Sequence, residues 1–284
     1  MKVLIPATTA NLGPGFDLLG ASLNIDNEIE AEFSESYSLI EEGYTEQKPF
    51  QEHLIAQIMV SLFKEFGITK PFALKTLNRI PFARGMGSSA AAIVGALLLA
   101  NQMSKANLTN EDLLHRAIAI EGHPDNVAPA LLGGVILTTK NKFFKLPPPQ
   151  VEACLLIPEY KLETKKARAV LPKTIPLEIA VLNSAKLAQL VLALERGDGE
   201  LFLESLADQL HEPYRGDLIP GFKMLRKKAE ELGGKLIISG AGPALLYLKK
   251  KQAKPDAKLL TQIWSLPNEV LEVKIGANGA LIAL

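Results

Sequence analysis

Residues 81–91 read Pro-Phe-Ala-Arg-Gly-Met-Gly-Ser-Ser-Ala-Ala, and they join a predicted strand to the most apolar segment of the sequence. The residues before them, Phe72 to Ile80, alternate as in a strand, and Pro81 ends that pattern. Ala90 to Ala100 consists of Ala, Ile, Val, Gly and Leu, which predicts a buried helix capped by Ser88 or Ser89.

The glycines of this stretch indicate an anion-binding turn. Gly85 and Gly87 flank Met86 just before the helix, so the backbone can take positive φ angles and direct several N–H groups to one point. The helix N-terminus adds roughly half a unit of positive charge and unpaired donors. Arg84 and two serine hydroxyls stand beside it. Together these features predict a phosphate-binding loop, whereas a lone Gly-x-Gly is more often a simple turn.

Two familiar nucleotide motifs do not fit this loop. No lysine follows Gly87, so the Gly-x-x-x-x-Gly-Lys-Ser/Thr pattern of P-loop NTPases is absent. Gly85, Gly87 and Ala90 satisfy a loose Gly-x-Gly-x-x-Ala dinucleotide pattern, but residues 104–120 predict a linker and a helix instead of the second strand that such a fold needs.

Composition favours small-molecule partners, and the lack of a visible signal peptide or bilayer-spanning run makes the cytoplasm the expected location. Lys plus Arg and Asp plus Glu both number 31 in the 284 residues, and no basic stripe suggests nucleic acid or an anionic membrane. The run Ala90 to Ala100 is too short to span a bilayer, and no signal peptide is visible. Cys154, the single cysteine, lies in an apolar run and is expected to be a packed strand residue.

The proline run 147–149 predicts a domain boundary, with one domain over residues 1–147 and another over 148–284. Residues 34–50 are polar and irregular, and they predict a surface hairpin or loop.

Polar residues in apolar surroundings are the candidate site residues. Asn11 and Asp17 lie in a loop of small residues, although Asn and Asp also form ordinary turns. Glu121 ends the buried face of a predicted helix, where a lone carboxylate is costly unless it is paired or binds a cation. Asp125 and Asn126 follow at a turn or short helix. His123 lacks a nucleophile at recognisable spacing, which favours a structural role.

Several of these segments resemble the GHMP kinases, the superfamily of galactokinase, homoserine kinase and mevalonate kinase. The phosphate loop resembles the central motif of the superfamily, and Ser239-Gly240-Ala241-Gly242-Pro243 resembles its C-terminal glycine motif. Residues 6–17 and 121–130 resemble the homoserine kinases in particular. The resemblance spans nearly the whole chain in the right order.

The resemblance implies an α+β fold of two domains, the N-terminal one ribosomal-protein-S5-like and the C-terminal one ferredoxin-like. The implied reaction is ATP-dependent phosphorylation of the side-chain hydroxyl of L-homoserine, a step towards threonine, and a homodimer is compatible with the family. Mg²⁺ would be held by Ser89 and Glu121. The residues implied to wrap the ATP phosphates are Pro81, Phe82, Ala83, Arg84, Gly85, Met86, Gly87, Ser88, Ser89, Ala90 and Ala91.

By the same resemblance, the amino and hydroxyl ends of homoserine would contact Asn11, Asp17, Asp125 and Asn126. The carboxylate would contact Thr164, Arg168 and Arg215. The implied catalytic set is Asp125, Asn126, Glu121 and Ser89, with the role of Asp125 open between a base and a positioning group. Acids at one end and guanidiniums at the other suit a zwitterion, and phosphoryl transfer needs mainly positioning and charge neutralisation.

One departure concerns the nucleotide end. His53-Leu54 stands where Asn-Leu is expected near the adenine pocket, which leaves the nucleotide preference open. Two alternative functions stay in view: another small-molecule GHMP kinase, and a nucleotide-binding sensor without turnover. Mevalonate has no amino group for the acidic set, and the presence of Ser89, Glu121 and Asp125 disfavours a sensor.

Overall fold

The computed structural model describes residues 1–140, 142–253 and 257–283, which form an α+β fold with two sheets. The strands are β1 (Lys2–Ala10), β2 (Leu19–Phe33), β3 (Ser38–Gly43), β4 (Phe72–Asn78), β5 (Val135–Thr139), β6 (Lys142–Leu146), β7 (Val151–Pro158), β8 (Lys235–Ile238), β9 (Leu245–Lys250), β10 (Asn268–Val273) and β11 (Leu281–Ala283). The α-helices are α1 (Leu54–Glu65), α2 (Ser88–Ser104), α3 (Asn110–Glu121), α4 (Pro124–Leu132), α5 (Thr164–Ala169), α6 (Leu177–Arg196), α7 (Gly199–Ser205), α8 (Glu212–Arg215), α9 (Phe222–Glu231) and α10 (Lys258–Ile263).

The first sheet has the order β11-β1-β2-β4-β3, with β5 and then β6 added beside the start of β2. The long β2 makes this branch possible, because Leu19 to Ala21 pair with β5 while Glu28 to Phe33 pair with β4. The second sheet is antiparallel, with the order β10-β7-β9-β8.

Helix α2 lies buried, as its composition predicts. Eleven of its residues are buried, and a Cβ on Gly95 would lie 2.4 Å from Cδ1 of Ile29, so a larger residue there would require the Ile29 side chain to shift. The predicted serine cap is wrong. Gly87 is the N-cap, with φ +70°, and Ser88 and Ser89 belong to the first helical turn. Because the left-handed glycine starts the helix, neither serine hydroxyl serves as the cap.

The predicted surface loop at residues 34–50 contains a strand that the sequence pattern did not reveal. β3 pairs in parallel with β4, from Ser38 opposite Ala73 to Gly43 opposite Asn78. None of the six residues of β3 is buried, so the strand carries none of the apolar alternation by which strands are recognised.

Among the described residues, the larger of two hydrophobic clusters is shared by both halves of the chain, and the smaller one lies within the second half. The larger cluster joins residues from the first sheet, such as Val3 and Ile29, to residues of the second, such as Leu155 and Leu246. At the end of the chain, β11 returns to the first sheet and pairs with β1. The division at residues 147 and 148 stays a prediction.

Candidate active site

A cavity of about 470 Å³ opens where the loops after β1, β4 and β8 meet the starts of α2, α4 and α5. Most of the predicted site residues line it: Asn11, Asp17, Phe82, Ala83, Arg84, Gly85, Met86, Gly87, Ser88, Ser89, Glu121, Asp125, Asn126, Thr164, Arg168 and Arg215. Pro81, Ala90 and Ala91 are buried behind the loop and do not line the cavity. Residues that lie far apart in the chain therefore converge on one space.

The phosphate loop requires glycine at two positions. A Cβ on Gly85 would lie 2.2 Å from the carbonyl oxygen of Ser239, and one on Gly87 would lie 1.9 Å from Oγ1 of Thr8. Both residues also have positive φ, +75° and +70°. The backbone approaches its neighbours so closely that no side chain fits, and the N–H groups at the start of α2 stay accessible from the cavity.

The second glycine motif packs directly on the first. Oγ of Ser239 donates to the carbonyl of Gly85 at 2.7 Å, and the amide of Ala244 donates to the carbonyl of Arg84 at 3.0 Å. The guanidinium of Arg84 is held by two backbone carbonyls, with Nε donating to Pro158 at 2.7 Å and Nη1 donating to Phe82 at 3.2 Å. Arg84 thus ties the loop to the second sheet.

A chain of hydrogen bonds runs along the start of α4. Oγ1 of Thr8 donates to Oδ1 of Asn126 at 2.7 Å, and Nδ1 of His123 lies 2.6 Å from Oδ1 of Asp125. Asp125 is 3% exposed and sits in the first helical turn, where the helix dipole favours negative charge. The hydrogen bond to Asp125 raises the pKa of His123, more than burial lowers it. The contact holds the Asp125 carboxylate in one orientation.

Ser89, in the first turn of α2, lies beside Glu121, the last residue of α3. Oγ of Ser89 donates to Oε2 of Glu121 at 2.7 Å, and burial raises the pKa of Glu121 despite this bond. Within the described residues, no group of three or more His, Cys, Asp or Glu side chains is placed to hold a metal ion. A hydroxyl and one carboxylate nevertheless fit Mg²⁺, which usually binds few protein ligands and completes its shell with phosphate oxygens and water.

The opposite charges of the site meet at Asp17 and Arg168. The two terminal nitrogens of Arg168 donate to the two carboxylate oxygens of Asp17 at 2.9 and 2.7 Å. Oδ1 of Asn11 accepts from the amide of Asp17 at 3.1 Å, and Nδ2 of Asn11 donates to the carbonyl of Gly240 at 2.8 Å. Asn11 and Asp17 both have positive φ, 73° and 58°, so this loop is strained as well as anchored.

Arg215 is a buried cation, and no carboxylate among the described residues is in direct contact with it. It is 2% exposed, donates to the carbonyls of Ala167 and Gly240, each at 3.1 Å, and lies 5.0 Å from the ring centre of Phe16. Burial, followed by the charge of Arg168, lowers the pKa of Arg215 to about 10. An anion that entered here would relieve the repulsion between the two guanidiniums.

A different part of the cavity wall is lined by Asn27, Lys48, His53 and Asn78. Nε2 of His53 lies 3.4 Å from Oε1 of Glu41, and burial lowers the pKa of His53. The histidine is the N-cap residue of α1, but its side chain makes no capping bond. Its ring therefore contributes to the cavity wall and to the contact with Glu41.

Comparison with known proteins identifies the family. The GHMP kinase N-terminal domain model matches residues 53–134, and the GHMP kinase C-terminal model matches residues 190–259. A homoserine kinase from Synechocystis is 42% identical over 276 residues, covering 92% of this chain and 90% of the relative. The chain belongs to the homoserine kinase family of the GHMP kinases. The homoserine kinase of Carboxydothermus hydrogenoformans is 41% identical over 258 residues, covering 88% and 85% of the two chains.

The fold agrees with this assignment. A crystal structure of a homoserine kinase from Cytophaga hutchinsonii has a TM-score of 0.88 and 30% identity, and the match covers 99% of this chain and 96% of the other. The predicted α+β fold of the GHMP kinases is confirmed.

Besides unpredicted lining residues such as Asn27, Lys48 and Asn78, three groups that hold the predicted residues of this GHMP kinase site in place were not found from the sequence. They are Thr8, the ring of His123, and the carbonyl of Gly240, which anchors both Asn11 and Arg215. Thr8 and Asn126 are 118 positions apart, and no local pattern distinguishes Thr8 from any other strand threonine. For His123 the signal was its position two residues before Asp125 at a helix start, which the sequence interpretation treated as structural.

Proposed function

We propose that this protein transfers the γ-phosphoryl group of ATP to the side-chain hydroxyl of L-homoserine, giving O-phospho-L-homoserine for threonine synthesis. The observation that carries the proposal is the meeting, in one cavity, of an anion-binding loop with a set of opposite charges. The loop at Gly85 and Gly87 suits phosphates, while Asp17, Arg168 and Arg215 suit the two charged ends of an amino acid.

Substrate binding would exchange one ion pair for two. The carboxylate of homoserine would bind the guanidiniums of Arg168 and Arg215, and the ammonium group of homoserine would bind Asp17 beside Asn11. Thr164, the first residue of α5, is four positions before Arg168 and lines the same wall. The Asp17–Arg168 contact keeps both groups neutralised and oriented until the zwitterion replaces it.

The chemical step depends on orientation. Asp125, held by His123, and Asn126, held by Thr8, would fix the substrate hydroxyl in line with the γ-phosphorus. The hydroxyl oxygen bonds to phosphorus as the bond to the β-γ bridging oxygen breaks, and the hydroxyl proton leaves towards Asp125 or solvent. Mg²⁺, when bound at Ser89 and Glu121, supplies charge neutralisation of the phosphates.

We further propose that the protein uses Mg²⁺-ATP, acts in the cytoplasm and assembles as a homodimer. The family assignment and the Ser89–Glu121 pair support the nucleotide and its metal. The cytoplasmic location is supported by the proposed use of ATP.

The test is ADP release from Mg²⁺-ATP by the purified protein, with L-homoserine, mevalonate, galactose or L-serine as acceptor. We expect strong stimulation by homoserine alone. Stimulation by another acceptor would assign a different GHMP kinase activity, and ATP binding without stimulation by any acceptor would favour a sensor. Replacing Asp125 with Asn should reduce the turnover number far more than about threefold, a loss of transition-state stabilisation.

A further inference from the structure

Helix α6, Leu177–Arg196, exposes an unusual amount of apolar surface. Among the described residues, it is the helix that is long and apolar enough to cross a membrane by length and composition. Only 22% of its most apolar 18-residue stretch is buried, however. Its buried positions are Asn183, Leu190, Ala193 and Leu194. On the other side, Leu177 is 80% exposed, Val181 59% and Leu192 42%. A single exposed leucine needs no explanation, but a continuous row does.

Five of the six exposed apolar residues of α6 form one stripe, which consists of Leu177, Val181, Ala185, Ala188 and Leu192. At 3.6 residues per turn these five lie within a sector of about 80°. The sixth, Leu182, lies off the stripe, and the exposed Glu195 lies at its edge, in line with Leu177. The bulky members stand towards the ends and the two alanines stand in the middle. A second helix can therefore approach closely at the centre while the large side chains interdigitate further out.

Two charged residues make the stripe complementary to a second copy of itself. Glu178 and Arg196 flank the stripe on the same side, at about 60° from its centre line, near opposite ends of the helix. A two-fold axis that pairs two helices antiparallel brings residues of the same flank together. With the axis near residue 187, each Glu178 lies opposite the Arg196 of the other copy. Neither residue forms a salt bridge within the described part of the chain.

We propose that the α6 stripe is the contact surface for a second copy of this chain, with the two α6 helices antiparallel about a two-fold axis near residue 187. The occupant is another copy because the pattern of charge and size is self-complementary, as an isologous interface requires. This proposal specifies the surface of the homodimer inferred above and does not rest on the kinase reaction. Its failure would leave the activity assignment unaffected.

Disulfide trapping tests the geometry. In an antiparallel pair the two Ala188 residues lie near the axis, whereas the two Leu177 residues lie about 30 Å apart along the helix direction. Cys154 gives no background, since it is buried and burial raises the pKa of its thiol to about 12. We expect A188C to form a covalent dimer under mild oxidation and the matched control L177C, at the more exposed position, to stay a single chain. Linking of L177C instead of A188C would overturn the antiparallel arrangement.

Sedimentation velocity tests the association itself. The wild type should sediment at twice the 30.8 kDa of one chain, and V181E should shift it to one chain. M224E is the matched control, because Met224 on α9 is a comparably exposed apolar residue. We expect E178R and R196E each to weaken the dimer at least tenfold, and the double exchange to restore it. A wild type that stays single-chain, or a dimer that V181E leaves intact, would overturn the proposal. So would a single-chain protein that binds phosphatidylcholine–phosphatidylglycerol vesicles through Val181.

Discussion

Arg168 donates from both of its terminal nitrogens to the two carboxylate oxygens of Asp17, at 2.9 and 2.7 Å, although 151 positions separate the two residues in the chain. The contact joins the loop after β1 to α5. The two partners are the groups that we propose to bind opposite ends of the substrate. On this proposal, the pair marks the place where the two charged ends of the zwitterion would bind.

Replacing Arg168 with Ala should raise the KM for homoserine by about 10- to 100-fold, because a charge-assisted bidentate contact is worth roughly 1.5–3 kcal/mol. The KM for ATP should change by less than about threefold, since Arg168 lies away from the phosphate loop. Steady-state kinetics with each substrate varied separately measures both. Arg116→Ala is the matched control: Arg116 holds Glu65 in the same bidentate manner, with both contacts at 2.8 Å, on the surface. Equal effects of the two variants would refute the assignment.

Gly87→Ala should abolish ATP binding or weaken it at least tenfold. The new Cβ would meet Oγ1 of Thr8 at 1.9 Å and force the loop away from its neighbour. Gly67→Ala provides the control, because Gly67 has nearly the same φ, +71°, but nothing within 4 Å of the added carbon. The left-handed conformation alone should cost each variant about 1–2 kcal/mol of folding free energy. Calorimetric ATP titration and urea unfolding of both variants separate the clash from the conformational cost.

Glu121→Gln should raise the Mg²⁺ concentration needed for half-maximal activity at least tenfold. The amide keeps the size of the carboxylate and its contact with Ser89 but removes the negative charge that attracts the ion. Activity measured against Mg²⁺ at saturating ATP gives the result. Glu111→Gln, on the exposed first turn of the same helix, should leave the Mg²⁺ requirement unchanged. An unchanged requirement in Glu121→Gln would remove this residue from the metal site.

The His123–Asp125 contact predicts a pH dependence of stability. Its hydrogen bond raises the pKa of folded-state His123 above the ordinary 6.5. The contact therefore stabilises the fold in full below pH 6.5, and this stabilisation is lost as the pH rises through the raised folded-state pKa. The difference in free energy of unfolding between the wild type and His123→Gln should shrink over that rise.

Urea unfolding at a series of pH values measures this difference. The exposed His115 on α3 offers a matched control, and His115→Gln should show no comparable trend. A His123→Gln difference that stays constant from acid to alkaline pH would mean that the ion pair contributes nothing to stability.

The parts of the fold that could be predicted from sequence are those with a buried face. Helix α2 and strand β4 carry apolar patterns that only burial explains. β4 starts at the predicted Phe72 and ends at Asn78, before the predicted Ile80, and α2 extends beyond the predicted Ala100 to Ser104. β3 could not be predicted because it is an exposed edge strand held by backbone hydrogen bonds to β4. The start of α2 was misassigned because a left-handed glycine, and not a serine hydroxyl, forms the cap.

The sequence alone determined which chemical groups are available to this protein: the glycines at 85 and 87, the hydroxyl of Ser89, the carboxylate of Glu121, and the acids and guanidiniums that we propose to bind a zwitterion. Each of these is a local property, since glycine conformations and residue charges are readable one segment at a time. Only the tertiary structure decided their partners. Asp17 pairs with Arg168, Thr8 pairs with Asn126, and the Gly240 carbonyl anchors Asn11. Each of these contacts joins residues more than 100 positions apart. Such contacts depend on how the sheets and helices pack, and no local pattern specifies that packing.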